Sequence, residues 1–170
     1  DDNYTDYQDT IPHLFYYNAF LMLSNGTEAK IVTLGSNYEF FHEWKRLAEK
    51  EQGSVALETM LRGICRKENF LDLFENFILY DHSGGHTAEI PARNHQYLGV
   101  NEAMKAYAAR KLNNGKLGVF WHTQGSGKSY SMVFFAQKVR RKFEGSPTFV
   151  ILTDREELNS QISDTFENCG

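Results

Sequence analysis

Apolar and polar positions change their period along this chain, and each change predicts an element. Within residues 14–34, two apolar, aromatic-rich runs flank Ser24-Asn25-Gly26-Thr27 and read as a β-hairpin. Asn-Gly is the preferred pair for a type I′ turn, because both central residues need positive φ. From 38 to 80 the spacing becomes helical. Phe40, Phe41, Trp44 and Leu47 share one face, and Leu57, Met60, Leu61 and Ile64 another. Phe70, Leu71, Leu73, Phe74, Phe77 and Ile78 form a third stripe, dense enough to be buried on more than one side.

Residues 81–86, Asp-His-Ser-Gly-Gly-His, suit neither helix nor strand and mark a boundary between two halves in contact. Residues 96–112 are then predicted helical, with Ala103, Met104, Tyr107 and Ala108 on one side and Asn113-Asn114-Gly115 as the stop. The apolar runs 117–121 and 149–152 read as buried strands. Between them 130–143 has helical spacing, with Met132, Phe135, Ala136, Val139 and Phe143 facing inward. Asp154 with Glu157 predicts a capping box for a last helix. The second half is thus β-α-β-α, the opening of a parallel sheet with right-handed crossovers, and the fold class is α/β.

Composition narrows the picture. The 170 residues suffice for one domain or parts of two, and 41% hydrophobic residues can bury a real core. A net charge of −4 argues against a broadly basic nucleic-acid face, though not against a local one. Lys138, Arg140, Arg141 and Lys142 form such a cluster, but they sit where cations complement a helix C-terminus, and a solvated helix end is the simpler reading. Cys65 and Cys169 make neither a disulfide framework nor a metal pattern, which fits a reducing compartment. No apolar run approaches the ~20 residues of a membrane span, and no signal peptide is visible. The chain begins at Asp1 without a Met and ends just past an apparent helix, so it reads as a fragment.

The strongest chemical signal is Thr123-Gln124-Gly125-Ser126-Gly127-Lys128-Ser129, between a predicted strand and a predicted helix. Glycines there let successive backbone N–H groups curl inward, and the helix adds its positive end, which together cradle phosphate. Lys128 is expected to reach the terminal phosphates and Ser129 to ligate Mg²⁺. His122 stands where the general pattern has its first glycine, a spelling nearer the helicase form A-x-x-G-x-G-K-[ST]. Gln96, one helix and one strand upstream, is either a polar residue opening a helix or a reader of adenine N6 and N7. Thr153-Asp154-Arg155 follows the second predicted strand at its carboxyl end, where open α/β sheets bind ligands; Asp154 as a helix cap with a solvated Arg155 is the alternative.

Weaker signals stand beside it. Glu28-Ala29-Lys30 spells the E-x-K of Mg²⁺-dependent nucleases, with Asp6 or Asp9 as a partner carboxylate, but it lies just past a tight turn where solvated charges are usual. His82 and His86 are four apart in a glycine-containing segment and read as loop surface.

Residues 94–97, 120–129 and 152–161 together resemble the motor (R) subunit of type I restriction enzymes. So do residues 11–18, 24–27 and 70–77, so the resemblance covers nearly the whole chain. It implies the end of a PD-(D/E)xK-type nuclease domain with a helical linker over 1–80, a boundary segment over 81–92, and the start of a RecA-like P-loop domain over 93–170. It implies ATP-dependent translocation and cleavage of double-stranded DNA in a prokaryotic cytoplasm, with methyltransferase and specificity subunits as partners and ATP and Mg²⁺ as cofactors. By the same resemblance the nuclease catalytic residues lie before Asp1. Tyr7 matches the Tyr of a Q-x-x-x-Y element in which Asn3 replaces the Gln. Gln96 matches the adenine-reading Gln, 123–129 match helicase motif I, and Thr153, Asp154 and Arg155 begin a motif near the DNA track. No Asp-Glu-x-His run follows Lys128, so this stretch alone is expected at best to bind nucleotide. A different P-loop enzyme, such as another helicase or a small-molecule kinase, and a non-catalytic docking module remain the alternatives.

Overall fold

The structure, a computed structural model, describes residues 2–34, 36, 40–54, 57–85 and 87–169, with side chains from Tyr4 onward. His86 and the side chain of Asn3, both singled out above, lie outside the described residues. The fold is mixed α/β. Helix α1 (Asp2–Thr10) leads into β1 (Leu21–Ser24), β2 (Ala29–Val32) and β3 (His42–Glu43), an antiparallel sheet in that order. Helices α2 (Leu57–Ile64) and α3 (Lys67–Asn76) follow, then the antiparallel pair β4 (Ile78–Asp81) and β5 (Ala88–Pro91). Helices α4 (Asn94–Ala108), α5 (Lys128–Lys142) and α6 (Glu156–Cys169) complete the chain. Among the described residues no helix is long and apolar enough to cross a membrane.

The predicted hairpin is present, but its turn is not type I′. Ser24 pairs with Ala29, leaving a four-residue loop in which Gly26 has a positive φ (98°) and Asn25 does not. The Asn25 side chain makes this possible by accepting the N–H groups of Thr27 (3.2 Å) and Glu28 (2.7 Å), so the bend needs only one left-handed residue. The helix expected around Phe40–Leu47 is also replaced. His42 and Glu43 pair with Ile31 and Lys30 on the edge of β2, and Phe41 and Trp44 still reach the core. The three-residue apolar spacing suits a helix, but an open sheet edge beside it outweighs local propensity. The dense stripe over 70–78 divides likewise. Leu73 and Phe77 are buried, Ile78 and Leu79 continue as β4, and Phe70, Leu71 and Phe74 remain exposed.

One core crosses the segment read as a boundary. Trp44 packs on Tyr97 (ring centroids 5.3 Å), Tyr97 on Phe77 (4.8 Å) and Phe77 on Phe134 (5.5 Å), linking β3, α3, α4 and α5. Asp81 pairs with Ala88 at the turn end of the β4–β5 hairpin, and the Asp81 carboxylate accepts the N–H of Ser83 at 2.8 Å. Gly63 lies against the Trp44 indole, where a Cβ would collide with the ring, so this glycine is fixed by packing.

The parallel sheet expected in the second half is not found among the described residues. Neither 117–121 nor 149–152 forms a strand, and both carry strongly exposed apolar side chains: Val119 is 93% exposed, Trp121 78% and Leu152 92%. A strand exists only with a ladder partner, and neither run has one here. The face of α5 also differs from expectation. Ala136 and Val139 are buried as predicted, but Ser131, Val133, Phe134 and Lys138 join them while Met132 is exposed. Helix α6 starts after Arg155, whose carbonyl accepts the N–H of Asn159 (3.0 Å). Asp154 therefore precedes the cap position, and its carboxylate stands 3.9 Å from the Arg155 guanidinium.

His42 makes the fold pH-sensitive. Among the described residues its Nε2 is buried without a hydrogen-bond partner, and burial lowers its pKa from 6.5 to about 4. Between those values the unfolded chain binds a proton that the folded chain refuses. Stability from a neutral His42 is full above pH 6.5 and is lost as pH falls towards 4, a loss of at most about 3 kcal/mol. Urea unfolding at pH 7, 5.5 and 4 should show that decline, and His42→Gln should flatten it.

Candidate phosphate-binding site

The site forms where α4 and α5 begin. Residues 123–127 turn back on themselves, with the N–H of Ser126 bonded to the carbonyl of Thr123 (3.3 Å). Gly125 (φ 75°) and Gly127 (φ 77°) are both left-handed, a backbone that residues with a Cβ rarely adopt. The first hydrogen bond of α5 runs from Ser131 N–H to the Gly127 carbonyl (3.1 Å), so the amides of Lys128, Ser129 and Tyr130 have no partner within the helix. Those amides and the positive helix end stand at the mouth of the loop. The Lys128 ammonium lies across the loop and donates to the carbonyls of His122 (3.0 Å) and Thr123 (2.9 Å). Among the described residues Ser126 Oγ is buried without a hydrogen-bond partner. Left-handed glycines, unpaired helix amides, an ammonium and an orphaned hydroxyl are the donor set a polyphosphate requires, so the residues present fit that group.

The first turn of α4 supports the loop from beneath. Gln96 Nε2 donates to the Gly127 carbonyl (2.9 Å) and its Oε1 accepts the Arg93 N–H (2.8 Å). His95 Nε2 donates to the Ser126 carbonyl at 2.9 Å. The His122 ring stands edge-on to His95 (4.9 Å) and to Phe120 (4.5 Å). Burial, then the neighbouring His95, lowers the His122 pKa, which keeps this ring neutral beside Lys128. A cavity of about 750 Å³ opens beside the loop, with Lys45, Arg46, Arg93, His95, Thr123 and Ser126 in its wall.

Sequence reasoning pointed to residues 123–129 and gave His95 and Asn94 no role. Asn94 Oδ1 accepts the N–H groups of Lys45 (3.2 Å) and Arg46 (3.0 Å), and its Nδ2 donates to the Arg46 carbonyl (2.9 Å). The signal available was polar residues at consecutive positions opening a helix, which also describes an ordinary cap. The basic cluster of α5 was read as a solvated helix end, and for Lys138 that is overturned. Its ammonium meets both Asp72 oxygens (2.5 and 2.7 Å) and Asn101 Oδ1 (2.7 Å). Lys142 reaches Glu75 (2.6 Å) and Arg141 the Glu75 carbonyl (2.5 Å). The legible sign was that Lys138 shares the Ser131–Phe134 stripe.

The remaining candidates belong to other elements than the loop and α4, and of them Lys30 reaches the wall of the same cavity. Tyr7 is a half-exposed residue of α1, and Thr153, Asp154 and Arg155 lie in the exposed approach to α6. Glu28 is exposed at the hairpin loop and Lys30 sits in β2 opposite Leu23 and Glu43. Among the described residues no group of three or more His, Cys, Asp or Glu could hold a metal ion.

Residues 95–170, which include the loop and both helices behind it, match the family described as SWI2/SNF2 ATPase. Along nearly its whole length the chain is similar to the endonuclease subunits of type I restriction enzymes. It is 37% identical, over 98% of its length, to the type I restriction enzyme HindI endonuclease subunit of Haemophilus influenzae. It is 28% identical, also over 98%, to the putative type I restriction enzyme MjaIXP endonuclease subunit of Methanocaldococcus jannaschii. The chain spans only 17% and 18% of the lengths of these relatives.

Proposed function

We propose that this chain is the nucleotide-binding entrance of an ATP-driven DNA translocase and endonuclease subunit of a type I restriction–modification system. The observation that carries the reading is the pair of left-handed glycines at the head of α5 with Lys128 across them, in a chain related to restriction endonuclease subunits. In this reading residues 1–80 close a PD-(D/E)xK-type nuclease domain and 93–170 open a RecA-like lobe. The runs 117–121 and 149–152 become strands of a sheet completed by further strands, which accounts for their exposed apolar side chains. Double-stranded DNA, with Thr153, Asp154 and Arg155 near its track, and methyltransferase and specificity subunits are the partners, in the prokaryotic cytoplasm.

The proposed chemistry needs positioning and charge neutralisation rather than covalent help. Residues 123–127 wrap the phosphate tail with backbone N–H groups. Lys128 exchanges its carbonyl partners for the outer phosphates, and the Ser129 hydroxyl holds Mg²⁺. The metal, when bound, supplies charge that offsets the build-up on the phosphate oxygens. His122, kept neutral, adds no competing charge behind Lys128.

The test is ATP hydrolysis by the full-length protein with and without double-stranded DNA. DNA-stimulated turnover is expected, while residues 1–170 alone should bind Mg·ATP without turning it over. Hydrolysis indifferent to DNA, with phosphate passed to a small molecule, sinks the translocase reading and favours a kinase. Steady turnover by residues 1–170 contradicts a water-positioning carboxylate located elsewhere in the protein.

A further inference from the structure

Resting on the phosphate-loop reading above, we propose that Asp72, Asn101 and Lys138 form an interior coupling that carries nucleotide occupancy of the loop to α3, in the half of the chain assigned to the nuclease. The three residues come from three helices, α3, α4 and α5. The Lys138 ammonium donates to both Asp72 oxygens (2.5 and 2.7 Å) and to Asn101 Oδ1 (2.7 Å). Asn101 Nδ2 donates in turn to Asp72 Oδ2 (3.3 Å), which closes a triangle of polar contacts. The Asn76 amide, one turn further along α3, adds a donor at Asp72 Oδ1 (2.9 Å). The triangle sits on the aromatic core. The ammonium lies 4.6 Å from the centre of the Phe77 ring, and Phe77 packs on Tyr97 of α4 and Phe134 of α5.

What makes this cluster a coupling is the helix it grips. Lys138 stands on the same helix as Lys128, about 15 Å along it at a rise of 1.5 Å per residue. The first turn of α5 is the mouth of the loop, so a loop that tightens on phosphate pulls on the start of that helix. A hydrogen-bonded helix passes such a displacement along its length. At Lys138 it meets charge-assisted hydrogen bonds, which are short and directional and hold α3, α4 and α5 in one register. An apolar contact of the same volume would fill the space while letting one helix slide on another; fixing register is the best-attested use of buried polar groups. A second rung runs beside the first, where Lys142 meets Glu75 (2.6 Å). Water competes for that exposed pair, so the buried rung bears the load.

The experiment is amide hydrogen exchange on the full-length protein with and without Mg·ATP. In the wild type, Mg·ATP should slow exchange at residues 128–131 and also in α3, there by about fivefold, the lower end of couplings between sites. The double variant Lys138→Met with Asp72→Leu keeps the interior filled without the directional bonds. Its slowing at 128–131 should remain and its slowing in α3 should vanish. Lys142→Met opens only the solvated rung and should leave both responses in place. If the double variant does not fold, Asn101→Ala keeps the ion pair, frees α4 from it and should lower the α3 response while a thermal melt shows the fold retained. A merely structural role would shift the ligand-free rates and the melting temperature and leave the nucleotide-dependent difference untouched. An α3 response that survives in these variants, or a wild type protected at the loop and not in α3, overturns the coupling. A wild type in which Mg·ATP leaves 128–131 unprotected removes the phosphate-loop reading itself, and the coupling falls with it.

Discussion

Replacing Lys128 by methionine in the full-length protein should lower DNA-stimulated ATP hydrolysis by about 10²–10³-fold, the loss typical of a preorganised charge-stabilising group. The argument starts from what Lys128 touches. Among the described residues its ammonium is bonded to the carbonyls of His122 and Thr123, within the loop. Methionine keeps most of the apolar stem and removes the charge. The carbonyls it abandons belong to residues at or near the surface, so water can replace the lost donor and the fold should survive. Activity should therefore disappear while the melting temperature moves little. Steady-state hydrolysis and a thermal melt on the same preparation separate the two effects. Activity within threefold of wild type removes Lys128 from the chemistry, and with it the case for a working motor over a docking module.

The second large effect concerns stability. Lys138 has 7% of its side chain exposed and Asp72 22%, and the ammonium is also 4.6 Å above the Phe77 ring. Burial pulls the Lys138 pKa down, and the Asp72 carboxylate pulls it back. Removing one partner strands the other charge. Asp72→Ala leaves the more buried ion unpaired and should destabilise the fold by about 3 kcal/mol or more. Asn101 still offers Lys138 one acceptor, so the ammonium is not left bare. Replacing both partners with apolar side chains, Lys138→Met with Asp72→Leu, should recover most of the loss, because the desolvation cost of the pair vanishes with it. Denaturant unfolding of the two single variants and the double variant measures this coupling. Purely additive effects would show that the bridge is bystander geometry. The Lys142–Glu75 pair should contribute little beside it, since both ends are solvated.

These two lysines show what sequence pattern could and could not reveal. Lys128 stood out because its neighbours are glycines at a fixed spacing ahead of a helix, a local pattern that needs no knowledge of distant residues. Lys138 was misread because its partner is Asp72, a residue 66 positions away on another helix. A charge run at a helix end looks solvated until something packs on it. The same division holds for the fold. Helices α2 to α5 were visible in their apolar spacing, α6 in the Asp154 and Glu157 expected to open it, and the hairpin in its Asn-Gly. β3 was read as helix because the open edge of β2 that captures it is a tertiary feature. The stripe over 70–78 was taken as one element because its spacing does not change where α3 becomes β4.

What the linear order of residues determined by itself is local. It placed a glycine loop ahead of a helix, set the turn chemistry, and marked which runs prefer helix, since backbone conformational limits and short-range spacing act within a few residues. What tertiary structure alone decided is pairing. It brought Asn94, His95 and Gln96 together against two distant stretches of backbone, buried Lys138 on Asp72, and left 117–121 and 149–152 without ladder partners. Hydrogen bonds and ion pairs between remote segments depend on where the chain returns in space, and no period of apolar residues encodes that return.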